Sequence, residues 1–214
     1  MELDTAEDLG LRERKKLATR EALSLAAVRL ALERGLEKVR VDDIAAAAGV
    51  SPRTYNNYFS SREEAICAVA AERARRVGEG LRSRPADEPL GEAIVRTMVD
   101  RYAGMGEPDK DMIRLIVSSR ALRGEFLKAV AARERDLAEA IAERTGLDAE
   151  RDLEPRLLAA MVSGATRVAT EHWLRPDVKA SFAAVVEATL RLAIPAAAEA
   201  ISSRSYSPAS VTSC

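Results

Sequence analysis

The sequence has few aromatic residues, one histidine and two cysteines, and each scarcity excludes a class of protein. Aromatic residues make up only 4% of the 214 residues, although hydrophobic residues make up 47%. Cys67 and Cys214 are far apart, so they provide neither zinc-ligand spacing nor a disulfide framework. With His172 as the single histidine, the chain offers little for acid–base or metal chemistry. We therefore expect no metal site and no catalytic residues.

Long apolar runs and phosphate-binding loops are also missing. No apolar run approaches the roughly 18 residues that a membrane-spanning helix needs. The opening Met1-Glu2-Leu3-Asp4 is acidic, unlike the basic start of a secretory signal. The glycines of Gly78-Glu79-Gly80 follow no predicted strand, so they are not a nucleotide-binding fingerprint. These absences favour a cytoplasmic protein that is not an enzyme and has no membrane partner and no cofactor.

Alanine is abundant, and it favours an all-α fold. The chain contains 40 alanines, and alanine is the best helix former and a poor strand former. Apolar periodicity, with glycine and proline at the breaks, predicts about nine helices. These helices are expected near residues 11–34, 41–48, 52–58, 62–81, 90–102, 109–119, 124–144, 150–172 and 178–194. Residues 1–10 and 199–214 are predicted to be disordered tails.

The net charge of −1 conceals two unlike parts of the chain. Residues 10–62 contain eleven basic and six acidic residues, a net charge of +5, so the remainder carries −6. A basic end on an acidic body is typical of a polyanion-binding head joined to another module. Chance scatter of charge over solvated helix faces explains the same numbers, and the charge alone does not decide between them.

Two short helices joined by a glycine lie within the basic segment. The first starts at Val41, and Gly49 ends it and provides the glycine that a tight turn needs. Ser51 followed by Pro52 then starts the second helix, because serine caps and proline suits the first helical position. Apolar residues on both helices would hold them at a steep angle. This pattern predicts a helix-turn-helix.

The second short helix carries polar side chains suited to base edges. Arg53, Thr54, Asn56 and Asn57 are expected to point outward. Arginine pairs well with guanine in the major groove and asparagine with adenine. The sequence therefore predicts binding to double-stranded DNA.

Residues 11–66 resemble the DNA-binding head of a TetR-type transcriptional repressor. The resemblance lies in Ala27 to Leu30, Gly35, Val41 to Ala45, Ala48 to Ser51, Thr54, Tyr58-Phe59 and Arg62 to Glu64. It implies a three-helix DNA-binding domain over 11–62, a linking helix over 62–81, and a helical bundle over 82–198 for ligand binding and dimerisation. The segment that carries the specific resemblance covers about a quarter of the chain.

The chain departs from this family at several positions of the head. Arg40 stands where threonine usually caps the helix, Arg53 where a small residue is usual, and Asn56 where tyrosine is usual. Arg62 replaces a lysine and keeps the charge that contacts phosphate. The DNA-binding residues implied by the pattern and the resemblance are Arg40, Asp42, Ser51, Arg53, Thr54, Asn56, Asn57, Tyr58 and Arg62.

Three assignments in the head stay open at this point. Arg53 either contacts a base or only a phosphate, and Tyr58 either contacts the DNA backbone or packs between helices. The basic cluster of residues 12–16 either forms an arm that enters the minor groove or is the solvated start of the first helix.

The resemblance implies a ligand pocket in the body, and soft or aromatic side chains suit one. The candidate lining residues are Met98, Tyr102, Met105, Met112, Phe126, Met161 and Trp173. Each of them also fits an ordinary core position. The implied partner is a small-molecule effector that is apolar or amphipathic.

Small residues on one late helix and an apolar stripe on the next favour a four-helix dimer interface. The candidate interface residues are Ala160, Gly164, Phe182, Val186 and Thr189. A packed helix pair within one subunit is the alternative. We expect a homodimeric repressor that its ligand releases from the operator; an activator, or a helical interaction module without DNA, are the alternatives.

Overall fold

The structure is a computed structural model that describes residues 3–74, 77–104 and 106–202, with the backbone alone at 3–9, 11, 69–74 and 202. Over these ranges it is all-α, as predicted, with eleven α-helices, one short 3-10 helix and no strand. The helices are α1 (Leu3–Arg34), α2 (Val41–Ala47), α3 (Pro52–Asn56), α4 (Arg62–Ala74), α5 (Val77–Arg82), α6 (Leu90–Ala103), α7 (Lys110–Ser118), α8 (Arg123–Thr145), α9 (Leu153–Trp173), α10 (Phe182–Ala193) and α11 (Pro195–Ser202). Every described helix is too short or too polar to span a lipid bilayer.

Both predicted tails are partly helical. Helix α1 begins at Leu3 and runs through Gly10, so residues 3–10 are not the predicted disordered tail. One glycine inside a helix costs only about 1 kcal/mol, which the 32-residue helix tolerates. At the other end, Pro195 starts α11 instead of ending the helical region, because proline suits a first helical position. The rest of that predicted tail, 203–214, lies outside the described residues.

The helix predicted over 62–81 is helical in its described parts, α4 and α5, and residues 75 and 76 between them lie outside the described residues. The short α5 contains both glycines of Gly78-Glu79-Gly80, and each allows a close approach. A Cβ atom at Gly78 would clash with Asp136, whose carboxylate accepts the Gly78 N–H at 2.9 Å. A Cβ atom at Gly80 would lie 2.9 Å from the Thr97 methyl group. These glycines therefore serve helix packing.

The chain divides into two compact units. The first, here the head unit, comprises Met1–Glu72 and Asp109–Lys128. Its core is formed by apolar residues of α1 to α4, with Met112 and Ile116 of α7 buried in the same cluster. The sequence predicted residues 109–128 to belong to the body over 82–198, and the structure corrects this: the apolar side of α7 is buried among head residues.

The second unit, here the body unit, comprises Arg73–Pro108 and Ala129–Cys214. Helix α10 packs against α9 and α6, and α11 also packs against α6. Gly91 allows this last contact, because a Cβ atom there would lie 3.1 Å from the Pro195 Cα. Ion pairs tie the helices together at the surface, such as Arg191 with Glu92 at 2.8 Å.

Candidate nucleic-acid interface

Helices α2 and α3 are joined by a turn with a left-handed glycine. Gly49 has φ of +71°, a conformation that favours glycine. The Val50 N–H donates to the Ala45 carbonyl at 3.0 Å and the Gly49 N–H to Ala46 at 3.1 Å, which is the Schellman pattern of a helix end. Val50 then packs partly against the head core. The predicted helix-turn-helix is therefore present.

Ser51 caps helix α3 as the sequence predicts. Its hydroxyl oxygen accepts the Thr54 N–H at 3.1 Å, and Pro52 occupies the first helical position. The helix proper ends at Asn56, two residues before the predicted end. One further turn follows it, in which Phe59 N–H donates to the Tyr55 carbonyl at 3.1 Å.

Tyr55 anchors α3 from its inner side. Its ring is fully buried, and its hydroxyl donates to the Ser61 carbonyl at 2.8 Å. Burial, followed by the nearby carboxylates of Glu64 and Glu63, raises the pKa of Tyr55 to about 12. With Tyr55 inward, the opposite side of α3 faces outward.

The outward side of the helix-turn-helix carries the predicted DNA-binding residues. Those exposed to solvent are Arg40, Asp42, Ser51, Arg53, Asn56 and Asn57, and those partly buried are Thr54, Tyr58 and Arg62. Tyr58 packs partly against the head core while keeping some exposure, which is compatible with both of its predicted roles. The geometry presents arginine and asparagine groups together on one short helix.

Arg40 does not cap α2 with its side chain, as expected for a group that has no hydrogen-bond acceptor. Instead the Asp43 carboxylate accepts the Arg40 backbone N–H at 3.2 Å. The Arg40 side chain is left exposed at the start of α2.

The side chain of Arg62 makes several contacts within the head unit. Its Nη1 donates to the Val39 carbonyl at 2.9 Å and its Nε to the Glu63 carboxylate at 2.8 Å. Its Nη2 lies 3.7 Å from a carboxylate oxygen of Glu37, and the side chain is only 26% exposed. The residue that the resemblance assigns to a phosphate therefore also fastens α4 to the segment before α2.

The basic cluster of residues 12–16 lies inside helix α1, with every member exposed. Lys16 forms a long ion pair with Glu13 at 3.9 Å, within one turn of the same helix. The cluster is therefore helical and solvated and differs from an extended arm, but it lies well inside α1, which begins at Leu3, and not at the start of the helix.

The predicted pocket residues divide between the two units. Met112 and Phe126 belong to the head unit, where Met112 is buried and Phe126 packs partly against the core. Met98, Tyr102 and Trp173 are buried in the body unit. Met105 lies outside the described residues. The six described side chains therefore do not line one common cavity within either unit.

Phe182 joins the aromatic residues of the body into one cluster. Its ring centroid lies 4.9 Å from that of Tyr102 and 5.1 Å from that of Trp173, both in edge-on geometry. The Phe182 N–H donates to the Glu107 carboxylate at 2.8 Å. These contacts correspond to core positions, the alternative that the sequence left open for Tyr102 and Trp173.

Met161 is the predicted pocket residue that lines an open groove. The groove has a volume of about 440 Å³ and lies between α9, α11 and the segment before α9. Its lining residues are Gly146, Leu147, Leu153, Glu154, Leu157, Leu158, Met161, Ala197, Ala200 and Ile201. Most of these residues are apolar, and sequence patterns did not single them out because alanine and leucine are common everywhere in the chain.

Two of the predicted dimer residues point into the body unit. Phe182 and Val186 are buried within the single chain, so they cannot form an exposed interface. Both lie on the face of α10 that packs against α9 and α6. Ala160 is exposed, Gly164 and Thr189 are partly exposed, and open space surrounds the Cβ position of Gly164.

An exposed apolar stripe lies on α9 and α10; sequence reasoning named its Ala160 and Gly164 but missed Leu153, Leu157 and Val168. Leu153 is 60% exposed and Leu192 is 89% exposed, and Leu157 and Val168 are also exposed. On α9, residues 153, 157, 160, 164 and 168 recur at intervals of three or four, which places them on one face. The spacing is visible in the sequence, but it does not show which apolar face a chain buries itself.

Comparison with known families agrees with the helix-turn-helix. Residues 25–68 match the family model described as bacterial regulatory proteins, tetR family. Residues 88–197 match the model described as the MftR C-terminal domain. The HTH-type transcriptional regulator TcmR of Streptomyces glaucescens is 31% identical over 183 residues, which cover 78% of this chain and 79% of TcmR.

Solved structures share the fold at lower identity. The fatty acid degradation regulator FadR of Bacillus halodurans is 22% identical with a TM-score of 0.55, over 81% of this chain and 93% of that chain. FadR of Bacillus subtilis, solved in complex with stearoyl-CoA, is 20% identical with a TM-score of 0.53, over 80% of this chain and 95% of that chain. The helix-turn-helix, the two family matches and the relationship to TcmR establish that this chain belongs to the tetR family of bacterial regulatory proteins and is a DNA-binding transcriptional regulator.

Proposed function

We propose that this regulator is a homodimeric repressor that an apolar or amphipathic small molecule releases from its operator. The head unit reads the operator, with base contacts from Arg53 and Asn56. The body unit dimerises and takes up the effector. The observation that carries the proposal is the exposure of polar groups on α3 at one end of the chain together with an exposed apolar stripe on α9 and α10.

Sequence-specific recognition is supported by the way α3 is fixed. Tyr55 and Ser51 hold the inner side and the start of the helix through hydrogen bonds of 2.8 and 3.1 Å. Arg53, Asn56 and Asn57 are free to contact base edges in a major groove. Phosphate contacts from Arg40 and from the basic cluster of residues 12–16 in α1 would add affinity without sequence information.

Dimerisation is supported by the apolar stripe and by the requirements of DNA recognition. An exposed apolar patch on a helix pair marks a contact surface, and Ala160 and Gly164 in its middle allow close helix approach. A dimer of helix-turn-helix units reads two half-sites one turn of DNA apart, which multiplies specificity. Leu153, Leu157, Val168 and Leu192 would then contact the second chain, which would border the groove that Leu153 and Leu157 also line.

The effector class is supported by the body unit and by one neighbour in fold. The groove beside Met161, about 440 Å³, is of the size typical of small-molecule sites and has a mostly apolar lining. The FadR structure of Bacillus subtilis holds stearoyl-CoA, an amphipathic molecule. A ligand relieves repression only if it binds one arrangement of the dimer more tightly than the other.

Selection of genomic DNA fragments by the purified full chain tests the proposal. We expect enrichment of a two-fold symmetric site, with binding that weakens as salt increases. Stearoyl-CoA, stearate and coenzyme A alone are then added to the complex; release by the first two but not the third supports an apolar effector. Absence of an enriched site contradicts operator binding. In cells, transcripts that rise when the gene is deleted support a repressor, whereas transcripts that fall support an activator.

A further inference from the structure

Arg20 of helix α1 makes three contacts near the end of α3, here called the recognition helix. Its Nη1 donates to the Tyr58 carbonyl at 2.9 Å. Its guanidinium carbon lies 4.3 Å from the centre of the Phe59 ring. Its Nη2 lies 4.0 Å from a carboxylate oxygen of Glu64. One side chain thus touches a backbone carbonyl, an aromatic face and a carboxylate, all of them 38 or more residues away in sequence.

These contacts converge on the turn between α3 and α4. Phe59 is buried in the head core, so the face on which Arg20 stacks is fixed. The Glu64 carboxylate also accepts the Ser60 N–H and the Ser60 hydroxyl, both at 2.8 Å. Arg20 therefore joins α1 to the turn that determines where α3 ends.

The recognition helix needs such support because it is short. Helix α3 has five residues, which is far below the length at which a helix is stable by itself. Its direction is therefore determined by what holds its ends. Ser51 and the Gly49 turn hold the first end, and Tyr55 holds the middle. Arg20 of α1 contacts the turn that follows the last end.

We propose that Arg20 is a positioning residue for operator recognition, which fixes the C-terminal end of α3 so that Arg53 and Asn56 meet their bases. This inference rests on the proposed base contacts of those two residues. A planar guanidinium stacks and donates at the same time, whereas the ammonium group of lysine is a compact point charge. Charge alone at position 20 is therefore not sufficient.

The rival role for Arg20 is a direct phosphate contact, and the salt dependence of binding separates the two. Loss of a phosphate contact reduces the log–log slope of affinity against salt by about one and weakens binding to all sequences. Loss of positioning weakens binding to the operator, leaves binding to unrelated duplex unchanged, and leaves the slope unchanged.

The test compares Arg20→Lys and Arg20→Met with the original full chain on the selected operator and on an unrelated duplex. We expect Arg20→Lys to lose about ten-fold in operator affinity while its affinity for unrelated duplex stays within about two-fold and its slope is unchanged. Arg29→Lys is the matched control, because Arg29 is an exposed arginine of the same helix whose ion pair, at 4.0 Å, is with Glu33 of that helix. It should bind as the original chain does.

A double-mutant cycle provides the second readout. In the Arg53→Ala, Asn56→Ala background, Arg20→Lys should cost little further affinity, because the groups it positions are gone. Four outcomes of Arg20→Lys would each overturn the positioning role. The variant could keep full operator affinity, or lose affinity equally on both DNAs. Its salt slope could fall by about one, or its loss of affinity could be undiminished in the double-mutant background. If Arg53 and Asn56 do not contact bases, a different result is expected. Arg53→Ala and Asn56→Ala, made in the chain that retains Arg20, would then leave operator affinity unchanged. Arg20→Lys keeps the test valid if Arg20→Met does not fold.

Discussion

At the scale of the residue, Tyr55 links the packing of the head to pH. Its folded pKa of about 12 lies above the ordinary value of 10.0, because burial disfavours the phenolate. The folded state therefore retains its proton between pH 10 and 12, where the unfolded state loses it. By linkage, the stability contributed by Tyr55 is complete below pH 10 and is lost as pH rises from 10 towards 12.

Tyr55→Phe should lower the free energy of unfolding at pH 7 by about 1 kcal/mol, because the Ser61 carbonyl loses its partly buried hydrogen bond. Between pH 9 and 11, the free energy of unfolding of the variant should also fall by about 1 kcal/mol less than that of the original chain. Urea unfolding at several pH values measures both effects. Cys67 has a buried thiol whose pKa is also raised to about 12, so some alkaline loss should persist in the variant. An identical alkaline slope in both proteins would show that folding does not raise the pKa of Tyr55.

The exposed residues of α3 lead to a prediction about specificity. Arg53→Ala and Asn56→Ala should each weaken binding to the selected operator by about ten- to a hundred-fold, since each removes contacts to one base pair. Each should also relax the preference at one operator position, which a panel of single base changes measures. A variant that weakens binding equally on every sequence instead contacts phosphate. Asn57→Ala, at the residue that follows α3, shows whether the effect depends on position.

At the scale of the element, the turn between α2 and α3 depends on a left-handed glycine. Gly49→Ala should lower the stability of the head by about 1–2 kcal/mol, because an L-residue is strained at φ of +71°. Operator affinity should fall with it, since the same turn sets the angle between the two helices. Thermal unfolding followed by circular dichroism, together with DNA binding, measures both losses.

Gly124→Ala is the control for that substitution. Gly124 lies in α8, has no neighbouring atom within 4 Å of its Cβ position, and is not in the left-handed region. Alanine favours a helix over glycine, so this variant should be as stable as the original chain or slightly more stable. If both variants behaved alike, backbone strain at Gly49 would not be the cause.

The elements of the head follow from local rules, which explains why they were predictable from sequence. Ser51 and Pro52 start α3 and Gly49 ends α2, and each acts within a few residues of itself. The body depends on faces that local rules do not determine. Phe182 and Val186 lie on an apolar stripe that suits a partner chain and a core equally well, and only packing against α6 and α9 turns them inward.

The same limit applied to α7 and to the arginines of the head. The apolar side of α7 predicts that the helix is buried, but it does not predict the unit in which it is buried. In the structure, Met112 of α7 lies in the head core. In the sequence, Arg20 and Arg62 are simply two more positive charges. In the structure they donate hydrogen bonds to the carbonyls of Tyr58 and Val39, which are 38 and 23 residues away. Long-range contacts to backbone carbonyls leave no periodic signal.

At the scale of the whole molecule, the net charge of −1 combines a basic segment over residues 10–62 with an acidic remainder of the chain. Such a distribution attracts DNA to one end of the chain while keeping the protein as a whole near neutrality. The apolar stripe of the body is the other feature of this scale. Leu153, Leu157, Val168 and Leu192 remain exposed in the single chain, although each would be more stable out of water.

A second copy of the chain would cover this stripe, and that leads to the last prediction. Leu157→Glu and Leu192→Glu should each convert the protein from a species of twice 23.2 kDa to one of 23.2 kDa, as measured by light scattering after size exclusion. Both variants should fold normally, because these side chains are exposed in the single chain. Operator affinity should fall by at least ten-fold at concentrations where the original chain is dimeric, since one head then binds one half-site. Leu127→Glu introduces the same charge at a leucine that is 57% exposed in the head unit, and it should leave the mass unchanged. A dimer that persists in both α9 and α10 variants would place the interface elsewhere on the chain.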